Sequence, residues 1–211
     1  VFSEQTWLAR IVWSALVLVI LWALLQWRLE LAFVATGTLA VSLAPVFVAR
    51  WAHVRVPPGF IAALTLFVAG TLFLGEILDF YERYWWWDLA MHGSSAIGFG
   101  LIGFVLVFMM FQGDRFAAPH IGLAFFAFCF AITIGTIWEI FEFGMDQIFG
   151  FNMQKSGLMD TMGDLIVNMV GAALGAATGL AYLKGQARGG LAAVIDEFVQ
   201  RNPRFFRRWR K

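Results

Sequence analysis

An all-α, polytopic membrane protein with six transmembrane helices is the fold class that three features of the sequence predict. The 211 residues are 61% hydrophobic and only 14% charged, with a mean hydropathy of +0.76, more apolar surface than one soluble core encloses. Six stretches approach the roughly 20 apolar residues that a bilayer crossing needs. The connections between them are short.

Taken in order, the expected spans are about 7–27, 30–50, 59–78, 88–111, 119–143 and 160–183. The first has no small-residue cleavage site and reads as a retained helix, not a signal peptide. Pro45 falls inside the second, where a membrane helix tolerates it, and "VPPGF" at 56–60 is a turn before the third. Gly171, Gly175 and Gly179 recur every four residues in the sixth and let another helix approach closely; Gly98, Gly100 and Gly103 suggest the same for the fourth. Cys129 is the single cysteine, lies among phenylalanines and excludes an internal disulfide. Beyond the spans, Leu191, Val194, Ile195, Phe198 and Val199 repeat at helical spacing opposite Asp196, Glu197 and Arg201, which predicts an amphipathic interfacial helix. The expected organisation is a six-helix transmembrane domain over 1–188 and an amphipathic, arginine-rich tail over 189–211.

Six crossings put both termini on one side. The last eight residues, "RFFRRWRK", carry five of the fifteen Lys and Arg, a pattern suited to anionic lipid headgroups on a cytoplasmic face. With that side inside, twelve basic residues fall inside, Arg115, Arg188, Arg210 and Lys211 among them, and Arg28, Arg83 and Lys155 fall outside. The positive-inside rule agrees. Tyr81, Tyr84 and Trp85 to Trp87 read as an interfacial aromatic belt, with a partner-binding rim as the alternative. Membrane lipids are the expected partners, a membrane-protein complex is a further one, and no nucleic-acid partner is expected.

The acids divide the other way. Ten of fourteen, Glu30, Glu76, Asp79, Glu82, Asp88, Glu139, Glu142, Asp146, Asp160 and Asp164, fall on the outer half. Helical spacing aligns Asp88 with His92, Glu139 with Glu142, Glu76 with Asp79, and Asp160 with Asp164 and Asn168. Asp88 and Asp160 also suit helix caps, and Glu82 and Asp146 read as solvated loop acids. Glu139 and Glu142 close a run of uncharged residues at the helix pole that repels anions, and a charge at membrane depth is costly by itself. Several like charges buried together need a proton or a cation to balance them. Asp88, His92, Glu139, Glu142, Asp160, Asp164 and Asn168 are therefore the candidate ligands of a divalent cation. An oxygen-rich set with one imidazole suits Ca²⁺, Mg²⁺, Mn²⁺ or iron better than a thiolate site does. The Glu-x-x-His pair of di-iron bundles is missing, which argues against that assignment.

"DLAMH" (Asp88, His92), "WEIFE" (Trp138, Glu139, Glu142) and "DTMGDLIVNMVG" (Asp160, Asp164, Asn168, Gly171) together resemble the VanZ-like superfamily, and within it the YjdF-like group of bacterial inner-membrane proteins. The likeness covers roughly residues 70–183. It implies a shared polar site and a bacterial inner-membrane location, and supplies no substrate. Two functions follow from the residues. One is an enzyme or binding protein whose cation engages a phosphate-bearing lipid or envelope precursor, with Glu142 as base and His92 as ligand or acid. The other is a non-catalytic accessory or assembly subunit in which the same residues staple helix ends. A cation or proton pathway ranks below both, because the acids lie on one side only and a one-sided site is a poor conduit.

Overall fold

The computed structural model describes residues 4–112, 114, 118–186 and 189–208. Arg115, Arg188, Arg210 and Lys211, counted above toward the inner charge, lie outside the described residues, as does the end of the tail. Among the described residues every regular element is helical, and six helices are long and apolar enough to cross a membrane. The chain divides into two compact units, Val1–Trp87 and Asp88–Lys211.

In the first unit, α1 (Trp7–Leu25) starts at Thr6, whose hydroxyl accepts the Ala9 amide at 3.3 Å and satisfies one of the free donors of the first turn. Helix α2 (Leu29–Trp51) carries Pro45 in its interior, as expected. Helix α3 (Pro58–Val68) opens on a proline, whose fixed φ suits a first helical residue. It runs on as a wider π-helical stretch, Ala69–Ile77, which the apolar run did not foretell. Ala9, Trp13, Val46, Ile61 and Ala62 form the buried contact of α1 to α3. Asp79, in the left-handed region, then turns the chain into the short α4 (Phe80–Arg83) and pairs with Arg83 at 3.8 Å. Glu76 and Asp79 are both exposed, and neither enters a buried cluster among the described residues. Phe80 meets Tyr84 and Trp87 edge-on at ring separations of 5.0 and 4.9 Å, so part of the aromatic belt packs on itself, while Trp85 is exposed.

The second unit is built from α5 (Trp87–Met110), α6 (His120–Phe149), α7 (Leu158–Leu183) and α8 (Leu191–Arg201). Helices α5 and α7 meet at glycines: a Cβ on Gly175 would come 2.7 Å from the Ile97 carbonyl oxygen and 2.9 Å from Gly100 Cα. Gly103 does the same for α6, where a Cβ would strike Phe130 and the Ala127 carbonyl. Gly98, expected to act likewise, faces open space and contributes no such contact. Away from the glycines the core is aliphatic and aromatic, with Leu101, Phe104, Phe108, Leu123, Ala127, Ala176 and Leu183 buried together.

Helix α8 has the expected amphipathy. Its apolar face, however, packs against the bundle: Ile195 and Val199 join the core of α5 to α7, and Phe206 follows with its ring 5.4 Å from Phe108. Gly190, at φ 58 and ψ −133 just before α8, supplies a backbone conformation open to glycine alone. Part of the basic charge of the tail is paired. Arg201 donates to Glu197 at 2.8 Å, and Arg208 binds Asp114 at 3.2 Å while its amide donates to the Gln112 carbonyl at 3.0 Å. Because Ile195 is fully packed, Ile195→Val is expected to lower the unfolding free energy in detergent by about 0.5–1.5 kcal/mol. An unchanged denaturation midpoint would place this face outside the core.

Candidate metal centre

Helix α6 runs six residues past its expected end at 143, to Phe149. Glu139 and Glu142 therefore lie more than a full turn before the last helical residue, beyond the reach of the dipole at that end. The electrostatic problem they pose is burial, not polarity of the helix terminus. Asp146 is not a solvated loop acid. Its two oxygens accept the amides of Met153 and Gln154 at 2.7 and 2.9 Å, which folds the connection to α7 back over the end of α6.

Neither Asp88 nor Asp160 is a helix cap. Helix α5 already begins at Trp87, and the cap of α7 is Gly157, so each aspartate sits inside its first turn. There the positive pole of the helix favours them, and their carboxylates remain available to the site. Asp88 Oδ1 lies 3.5 Å from His92 Nε2, one turn deeper on the same face. The other ring nitrogen, Nδ1, is 3.5 Å from Glu139 Oε1 on α6 and 3.5 Å from the Asn168 amide on α7. One imidazole thus touches all three helices.

Two sets of ligand atoms converge, each within 4.8 Å of one another: Asp88, His92 and Asp164, and His92, Glu139 and Glu142. Asp160 belongs to neither set but acts on Asp88 and His92 through its charge, and Lys155, from the α6–α7 connection, acts on Asp88 and Asp160. All seven expected residues are thus gathered at one end of the second unit, six of them within the two ligand sets or against His92.

The burial is deep. Glu139 is 4% exposed, Asp164 2% and Asn168 2%. Both oxygens of Glu139, Oδ2 of Asp164 and Oδ1 of Asn168 have no hydrogen-bond donor among the described residues. Leaving one buried polar atom unsatisfied costs about 1–3 kcal/mol, and more when it is charged. Four such oxygens from three residues lie around one histidine, and the nearest donors, the His92 ring 3.5 Å from Glu139 Oε1 and the Thr161 side chain, leave this acceptor set under-satisfied. Asn168 reaches the cluster because Gly135 leaves room on α6: a Cβ there would lie 2.7 Å from its Nδ2.

Gly135 escapes sequence reasoning because the space it leaves is required by a residue on another helix. Trp138, read above only as part of a motif, has a definite role. Its indole N–H donates to Glu142 Oε1 at 2.8 Å, which fixes that carboxylate and leaves its second oxygen to point elsewhere. Such supporting contacts typically alter metal affinity by about 10–100-fold. Trp138→Phe is therefore expected to weaken Mn²⁺ binding by about tenfold in equilibrium titration, with the fold intact. An unaltered affinity would remove Glu142 from the ligand set.

Comparison with known proteins places this arrangement in a family without giving it an activity. An uncharacterized protein of Thermotoga maritima is 35% identical over 103 residues, covering 46% of this chain and 50% of that protein. The chain thus spans about half the length of the curated relative it matches. No solved structure matches. The profile of the predicted membrane proteins named DUF2238 matches residues 8–185, most of the chain and every residue of the candidate centre, and the protein belongs to that family.

Proposed function

We propose that the protein binds a divalent cation through Asp88, His92, Glu139, Glu142, Asp164 and Asn168, with Asp160 adding charge, and uses it to engage a phosphate-bearing lipid or envelope precursor. The observation that carries the reading is the set of four buried oxygens without donors on Glu139, Asp164 and Asn168. Carboxylate and amide oxygens with one imidazole favour Ca²⁺, Mg²⁺, Mn²⁺ or iron. A cation there would neutralise charge that the bilayer otherwise penalises.

Depth supports the phosphate. At ~1.5 Å per residue, Glu139 lies about 28 Å along α6 from His120, against a hydrocarbon thickness of roughly 30 Å. With His120 at one edge of the hydrocarbon, Glu139 falls just inside the other, next to the headgroup region that carries lipid phosphate. Asp88 is less buried than Glu139 and marks the open side of the cluster. Glu142, held at one oxygen by Trp138, is placed to act as a base, and His92 as ligand or acid. In this reading the DLAMH, WEIFE and DTMGDLIVN segments are the elements shared with the VanZ-like superfamily and its YjdF-like group. In the same reading the excess of basic residues on one side supports termini in a bacterial cytoplasm and a site that faces the periplasm.

A second reading, a structural staple in an accessory subunit, is favoured by the same burial, since closed metal sites are typically structural and open ones reactive. Retention of phosphatidate over diacylglycerol in nanodiscs, with and without Mn²⁺, separates the two. Selective, Mn²⁺-dependent retention that is lost in Glu142→Gln supports phosphate engagement. Mn²⁺ binding without any phosphate preference leaves the staple. Failure to bind Mn²⁺ removes the cation and leaves a staple of protonated or ion-paired side chains.

A further inference from the structure

We propose that the centre holds two divalent cations, one on each side of the His92 imidazole. The proposal rests on the cation-binding reading and adds its stoichiometry. The two nitrogens of an imidazole point in different directions, and here each faces its own carboxylate: Nε2 toward Asp88 and Nδ1 toward Glu139, both at 3.5 Å. The two ligand sets share His92 and no other residue. One draws on Asp88 and Asp164, the other on Glu139 and Glu142.

Asn168 is an independent sign of a ligand on the second side. It carries no charge and so has no part in the acidic pattern, yet it is 2% exposed, its amide lies 3.5 Å from Nδ1, and its Oδ1 has no donor among the described residues. That oxygen is a further buried acceptor, on the residue whose amide nitrogen faces Nδ1.

Charge is compatible with the number that the two ligand sets give. Asp88, Glu139, Glu142, Asp160 and Asp164 act on one another through their charges, and Lys155 acts on Asp88 and Asp160. Asp146 is engaged with two loop amides. Fully ionised, as ligation by cations that displace protons requires, the five carboxylates and one ammonium carry four negative charges. One divalent cation halves that excess, and two remove it, at a depth where residual charge is penalised. A neutral imidazole offers one lone pair, so the two cations differ: one takes a nitrogen ligand and the other is bound by oxygens alone.

The test is a Mn²⁺ titration of the full chain in detergent, read by native mass spectrometry and by electron paramagnetic resonance. The wild type should take up two equivalents in two affinity classes, with the signal broadened by coupling between neighbouring ions. Glu142→Gln and Asp88→Asn should each retain one equivalent and lose the broadening. Asp88 sits at the less buried edge, so its variant keeps the test sound if Glu142→Gln fails to fold. One equivalent in the wild type, or two in both variants, would overturn the proposal and leave cation binding standing. No uptake would overturn both.

Discussion

Chelation with EDTA is expected to lower the thermal unfolding midpoint of the wild-type protein by several degrees and to leave Glu139→Gln/Asp164→Asn unchanged. On the cation-binding account, removal of the cation would leave buried carboxylates facing one another with too few donors to satisfy them. A cation present at one hundred times its dissociation constant stabilises the folded state by about 2.7 kcal/mol, which chelation abolishes. In the double variant the amides keep the side-chain shape and remove two negative charges. The apo form is then expected to unfold at a higher temperature than the apo wild type, although the variant has lost its cation. Equal chelator sensitivity in the two proteins would show that the stabilising ion sits elsewhere.

Gly175→Leu is expected to prevent assembly of the second unit altogether. The approach of α5 and α7 is a backbone contact, with a Cβ at Gly175 already 2.7 Å from the Ile97 carbonyl and 2.9 Å from Gly100 Cα. Neither neighbour can rotate away, unlike the end of a flexible side chain. Extra methylenes in a packed core typically cost about 1–3 kcal/mol, and a contact between rigid backbones belongs at or above the top of that range. Separating the helices also moves His92 on α5 from Asp164 and Asn168 on α7, so metal binding should be lost with the fold. Gly98→Leu, where a side chain meets open space, is the matched control and should be tolerated. Equivalent expression and unfolding profiles for the two variants would contradict this account of the interface.

The sequence foretold the helices and which residues share a face in the buried cluster for one reason: both are written in local periodicity. Apolar runs of membrane length locate the spans, and steps of three or four residues put Asp88 with His92, Glu139 with Glu142, and Asp164 with Asn168 on single faces. What the sequence hid depends on contacts between distant residues. The end of α6 was misplaced because Glu142 and Asp146 looked like terminal charges. One is buried in the bundle and the other is satisfied by amides of a loop that follows it. The role of Gly135 is dictated by Asn168 on α7, and no pattern around Gly135 records that demand.

Helix α8 illustrates a different limit. Its alternation of apolar and charged residues is the same whether the apolar face meets acyl chains or protein. Only the position of Phe108, Leu123 and Leu183 reveals that Ile195 and Val199 cover the bundle. The π-helical stretch at Ala69–Ile77 is similarly silent, because an apolar run of that composition satisfies a wider helix as well as a regular one.

The most direct measurement is elemental analysis with native mass spectrometry on the purified 211-residue chain and on Glu139→Gln/Asp164→Asn, after gel filtration in metal-free buffer. The cation-binding account predicts stoichiometric divalent metal in the wild type and none in the folded variant. Metal in neither protein, after the wild type has been offered Mn²⁺ and remains folded, would contradict it.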